Sequence, residues 1–120
     1  KLVTGVQTCA LPILLLNLLV NSVHAIESAR KQGGAGNFIR ISAKELEDRW
    51  IFTVKDTGCG ISEANMKNLF KPFFTTKDIG HGTGLGLVTC YRILESWGGK
   101  IEAKSREGEG AEFSLELLKA

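Results

Sequence analysis

Lys100 to Leu117 reads KIEAKSREGEGAEFSLEL. Ala111, Phe113, Leu115 and Leu117 fall on one side of an extended chain, and Glu112, Ser114 and Glu116 on the other. That period of two belongs to a strand with one face in a core. Lys100 to Ser105 alternates in the same way, and Gly108 and Gly110 mark the turn between the two runs. A hairpin that is apolar on a single face needs a second layer to cover it.

Working outward from this hairpin, Gly84 to Trp97 reads as a helix that places Leu87, Cys90, Tyr91, Leu94 and Trp97 on one face. Gly98-Gly99 supplies its stop. A second hairpin lies upstream. Phe38 to Lys44 sets Ile39, Ile41 and Ala43 against Arg40, Ser42 and Lys44, a half-buried strand; Glu47-Asp48-Arg49 turns the chain, and Trp50 to Asp56 returns it. Leu14 to Gln32 is a helix with a broad apolar surface (Leu15, Leu16, Leu19, Val20, Val23, Ile26), stopped by Gly33-Gly34. Ser62 can cap a short helix from Glu63 to Phe70. Lys71 to Thr83 lacks periodicity and reads as a loop over a site. The order helix, hairpin, short helix, loop, helix, hairpin predicts an α/β (α+β) two-layer sandwich. Its sheet is mixed but mostly antiparallel, with the helices on one face.

The length of 120 residues suits one domain, and 43% hydrophobic with 23% charged residues suits a soluble globule. A net charge of +2 leaves no footprint for nucleic acid or another polyanion. Asn17 and Asn21 interrupt the longest apolar run, so no bilayer span and no direct membrane contact are expected. Cys9, Cys59 and Cys90 are odd in number and scattered, which argues for a reducing compartment without zinc or disulfides. Residues 1–13 (KLVTGVQTCALPI) show no sustained period, and Pro12 disfavours helix just before it. Val3 to Ile13 also resembles the translation of a sequencing-adapter oligonucleotide. We therefore read residues 1–13 as a foreign leader and residues 14–120 as a domain truncated at its N-terminus.

Four segments carry chemistry. Gly80 to Leu87 reads GHGTGLGL. Its glycines bare the backbone N–H groups of a loop, and the helix behind it points its positive end at the same spot, which suits a polyphosphate. Asn17 and Asn21 lie four apart on one face of an apolar helix. Their amides either face solvent as a polar stripe or offer an oxygen to a hard cation and an NH₂ to phosphate. Asp56 shares parity with Phe52 and Val54, so its carboxylate points inward with them, where an adenine amino group is one candidate donor. Gly58 and Gly60 would let a flat ring approach; the plainer alternative is that Asp-Thr-Gly opens a turn. Leu69 to Lys77 (LFKPFFTTK) combines three phenylalanines with Lys77, either a docking loop whose lysine reaches a terminal phosphate or an irregular core segment.

Taken in order, LLLNLLVNSVHAI (residues 14–26), DTGCGI (56–61), LFKPFFTTK (69–77) and GHGTGLGL (80–87) resemble the N, G1, F and G2 boxes of the ATP-binding catalytic domain of bacterial sensor histidine kinases. That superfamily includes gyrase, mismatch-repair ATPases and a heat-shock chaperone. The ending GGKIEAKSREGEGAEFSLEL resembles the family's closing hairpin, and the likeness covers Leu14 to Leu118. It implies the Bergerat-type fold and a set of roles. Asn21 would be the Mg²⁺ ligand and Asn17 a neighbour of the phosphates. Asp56 would bind the adenine amino group, with Gly58, Gly60 and Ile61 shaping that wall. Thr76 and Lys77 would sit on the lid, and Gly82, Thr83, Gly84, Leu85 and Gly86 would contact the phosphates.

Hydrolytic relatives carry a glutamate where this chain has Asn17, and an amide cannot take a proton near neutral pH. The resemblance thus implies a kinase that holds Mg²⁺–ATP and passes the γ-phosphoryl group to a histidine on a separate dimerisation domain in the cytoplasm. A response regulator would act downstream. His24 and His81 do not sit in an acceptor-like helix context. The alternatives are an inert docking module and, less favoured, a gyrase-type ATPase.

Overall fold

The computed structural model describes residues 5–31, 33, 38–71 and 86–119, with 5–10 by backbone alone. The order is α1 (Gly5–Lys31), β1 (Ile39–Glu45), β2 (Arg49–Asp56), α2 (Glu63–Met66), α3 (Gly86–Ser96), β3 (Lys100–Arg106) and β4 (Gly110–Leu118). The strands form one sheet in the order β1-β2-β4-β3. Every pairing among the described strands is antiparallel, so the expected mixed sheet is antiparallel throughout there.

The inward face follows the alternation of β4. Ala111, Phe113, Leu115 and Leu117 are all buried, and the register sets them opposite Asp56, Val54, Phe52 and Trp50 of β2. Ile101, Ala103 and Ser105 of β3 share that face. The outer face carries Lys100, Glu102, Lys104, Glu112, Ser114 and Glu116 around a shallow depression. Arg49 and Lys100 both pair with Glu116 there, a charge ladder facing solvent. α1 lies across β2 and reaches β1, β4 and α3, while α3 covers β3 and β4. Leu14, Leu18, Ser22 and Ala29 of α1 recur at helical spacing on its buried side, Cys90 and Leu94 do the same for α3, and Val88 is buried near the start of α3.

Several expectations are corrected. The first helix begins at Gly5, nine residues before Leu14, and runs through Pro12. A proline inside a helix costs roughly 3 kcal/mol. Burying Leu14 fully and Leu11 partly against the core offsets that, at roughly 1.5–3 kcal/mol per fully buried side chain. The stretch Leu11–Lys31, which holds an 18-residue window of mean hydropathy 1.4, is then long and apolar enough by length and composition to cross a bilayer, because leucines and valines around Asn17 and Asn21 outweigh the two amides. Here one side of that stretch is seated on the sheet.

β1 is not half-buried. Ile41 is 53% exposed although it faces inward, since α1 sits over β2 and leaves the edge strand nearly bare. Tyr91 lies outside the core and stacks on Phe70 at 5.4 Å between ring centroids. The short helix ends at Met66 and continues as turns. Its cap is as expected, with Ser62 Oγ accepting from the Asn65 N–H at 3.2 Å.

Candidate functional site

β2 delivers Asp56 to the inward face as its last residue, and the chain then leaves the sheet through Thr57 to Ile61. The carboxylate is 2% exposed. Oδ1 accepts the Gly58 N–H at 2.8 Å, so the residue does open a turn. Oδ2 accepts the hydroxyl of Ser22 at 3.0 Å. Asp56 is thus an inward acid that also shapes its loop. These donors among the described residues place one hydrogen bond on each oxygen of a group that can accept about four.

α1 forms the adjoining wall. The Cys59 N–H donates to the Ala25 carbonyl at 3.0 Å. A Cβ on Gly58 would lie 2.6 Å from Ala25, so only glycine permits this approach of loop to helix. Ser22 was missed by sequence reasoning. The available signal was its place in the stripe Leu14, Leu18, Ser22, a hydroxyl at the spacing of buried residues. Asn21, half-buried, immediately precedes it.

Asn17, one turn earlier on the same flank as Asn21, turns its amide to α3, with Nδ2 3.7 Å from Cys90 Sγ. Burial pushes the Cys90 thiol up from its ordinary value, against the pull of the Asn17 hydrogen bond. Its Sγ lies 4.0 Å from the Leu14 carbonyl oxygen. Gly86 is the first residue of α3. The structure therefore brings Asp56 and Gly58 against the Ser22–Ala25 turn of α1, sets Gly60 and Ile61 against Arg106 and Ser105 of β3, and turns Asn17 to α3. Thr76, Lys77, Gly82, Thr83, Gly84 and Leu85 lie outside the described residues. The charged depression on the other face of the sheet includes none of the candidate residues.

Chemically, the arrangement offers a buried acceptor at the head of a closely packed loop, with the carboxamide of Asn21 next to Ser22 and that of Asn17 one turn earlier. A carboxamide oxygen is a hard donor that suits Mg²⁺, which takes few protein ligands and keeps waters and phosphate oxygens for the rest. Asn21 fits that role by its chemistry.

The family model described as histidine kinase-, DNA gyrase B-, and HSP90-like ATPase matches residues 10–120. The sensor histidine kinase ZraS of Salmonella typhimurium is 45% identical over 104 residues, which span 86% of this chain and 20% of that protein. The signal transduction histidine-protein kinase AtoS of Escherichia coli is 41% identical over 104 residues, 86% of this chain and 16% of its own length. The chain thus spans about a fifth of these curated relatives. Among solved structures, full-length ShkA in complex with AMPPNP superposes with a TM-score of 0.74 at 30% identity, covering 92% of this chain and 22% of that one. The nucleotide-free catalytic domain of the histidine kinase ThkA gives 0.67 at 38% identity, covering 88% and 64%.

Proposed function

This chain belongs to the histidine kinase-, DNA gyrase B-, and HSP90-like ATPase family, and on that premise we propose that it is the Mg²⁺–ATP-binding catalytic domain of a two-component sensor kinase. It holds ATP and presents the γ-phosphoryl group to a histidine on a separate dimerisation domain, from which a response regulator is supplied. It works in the cytoplasm, where ATP is. The observation that carries this reading is Asp56, an inward-facing acid buried to 2% exposure at the head of a loop pressed against α1.

The residues divide the work. Asp56 accepts the exocyclic amine of adenine, and Gly58, Gly60 and Ile61 shape the wall beside it, the two glycines letting the loop pack closely on Ala25 and Arg106. Asn21 offers its carboxamide oxygen to Mg²⁺. When bound, that ion neutralises phosphate charge and orients the triphosphate. Thr76 and Lys77 close over the phosphates, and Gly82, Thr83, Gly84, Leu85 and Gly86 cradle them with backbone N–H groups. Asn17 cannot act as a general base, so water is not activated at its position and the phosphoryl group is kept for the acceptor. Catalysis is then positioning and charge stabilisation.

Calorimetric titration with ATP, with and without Mg²⁺, tests the reading. Asp56→Ala is expected to lose adenine-over-guanine preference by about 10–100-fold, the worth of a hydrogen bond to a charged group. Asn21→Ala is expected to lose the gain from Mg²⁺. Adding a dimerisation domain in trans with labelled ATP should yield acid-labile phosphohistidine. A folded chain without Mg²⁺-dependent ATP affinity ends the proposal, and steady turnover without an acceptor would favour a hydrolase.

A further inference from the structure

Ser105 lies near the end of β3, opposite Ala111 of β4, on the inward face of the sheet. Its hydroxyl is engaged twice. Oγ accepts the Ile61 N–H at 2.8 Å and donates to the Gly110 carbonyl at 2.7 Å. The proton's place is forced, because an amide N–H cannot accept and a carbonyl cannot donate. One side chain therefore ties the far end of the Asp56–Ile61 loop to the β3–β4 turn. That turn holds the loop at further points. The Gly108 N–H donates to the Cys59 carbonyl at 2.7 Å. Gly60 and Arg106 run so close that a Cβ on Gly60 would come under 3.0 Å from the Arg106 carbonyl oxygen.

We propose that Ser105 is the positioning residue of the base-binding loop, so that the β3–β4 turn sets adenine affinity without touching the nucleotide. The inference rests on the ATP reading of the site given above. Residues 57–62 lie outside the strand ladder and are held by Phe38 through Thr57, by α1 through Ala25, and by the turn through Ser105 and Gly108. Removing the hydroxyl strips the Ile61 N–H and the Gly110 carbonyl of their common partner. The loop then populates positions in which the wall next to Asp56 is displaced. Apparent affinity falls in proportion to the share of molecules still arranged to bind.

The test measures the full chain's affinity for ATP and for inosine triphosphate, which has a carbonyl where ATP has the amine. Ser105→Ala is expected to weaken ATP binding about three- to tenfold, the range of a lost hydrogen bond with a partly buried partner left over. Inosine triphosphate binding should move less, so the preference between the two shrinks. Ser105→Thr, which keeps the hydroxyl, should restore both, and the Ile61 amide should exchange with deuterium faster in the Ala variant alone. If Ser105→Ala does not fold, Ser105→Cys, close in size and poor as an acceptor, carries the same comparison. A variant with a lowered Tm but an unchanged ATP-to-inosine-triphosphate ratio and unchanged Ile61 exchange overturns the proposal and leaves the ATP reading intact. A wild-type chain that binds no ATP overturns both.

Discussion

Gly108 and Gly110 stand two residues apart in the β3–β4 turn, at φ of 84° and 110°. An alanine at either must adopt a backbone conformation that costs an L-residue roughly 1–2 kcal/mol. Their surroundings differ. A Cβ on Gly108 meets nothing within 4 Å, whereas one on Gly110 would come under 3.0 Å from the Asp56 carbonyl oxygen and 3.1 Å from Thr57 Cα. These are backbone atoms, so no rotamer change relieves the clash. Forcing packed structure apart adds about 1–3 kcal/mol. Gly108→Ala should therefore lose about 1–2 kcal/mol and Gly110→Ala about 2–5 kcal/mol. At roughly 4 °C per kcal/mol for a domain of this size, that is about 4–8 °C against about 8–20 °C in Tm. Urea unfolding of both variants, read by far-UV circular dichroism, gives the difference. Because the atoms pushed aside belong to Asp56 and Thr57, Gly110→Ala should also lose ATP affinity, and by more than Gly108→Ala does. Equal stability losses in the two variants, or wild-type behaviour of Gly110→Ala, would refute the steric argument.

Two further predictions probe the helical layer. Leu18 is fully buried and Leu16 is 58% exposed on the same helix. Leu18→Ala should cost about 2–5 kcal/mol and Leu16→Ala less than about 0.5 kcal/mol, measured by the same unfolding assay; similar losses would mean that α1 turns another side to the sheet. Cys90 is buried and its thiol is pushed above its ordinary value, so little thiolate exists at pH 8, whereas Cys59 is partly exposed. Iodoacetamide at that pH, followed by peptide mapping, should label Cys59 at least about tenfold faster, and denaturant should erase the difference. Comparable native rates would place Cys90 outside the core.

What could be read from the chain divides along physical lines. Both hairpins, the Ser62 cap and the inward turn of Asp56 follow from local rules of parity and capping, and the structure carries each of them. Alternation in β1 was equally clear, yet it reports only which residues share a face. Whether a layer covers that face depends on where α1 lies, and it lies over β2. Pro12 argued against helix by a local rule that the burial of Leu14 outweighs. Tyr91, next to Cys90, sat at the margin of the inward arc, and its stacking on Phe70 decides its side. Ser22 and Ser105 went unseen because their partners lie 34 and 44 residues away. A hydroxyl's spacing can mark it as inward-facing but cannot name what it meets.

The neighbours of Asn17 bear on which reaction the site is built for. Its amide donates to a thiol that burial keeps protonated, beside the Leu14 carbonyl. A carboxylate in the same place would exchange that donor for an acceptor, with only a weak S–H to meet it and a carbonyl oxygen close by. Burying a charge without strong donors is costly. An acid poised to take a proton from water would need a different α3 surface at residue 90. The absence of a base at this position is therefore not one substitution but a matched pair, Asn17 on α1 with Cys90 on α3. Under the proposed kinase reading, that pairing gives a packing reason for an amide rather than an acid at residue 17.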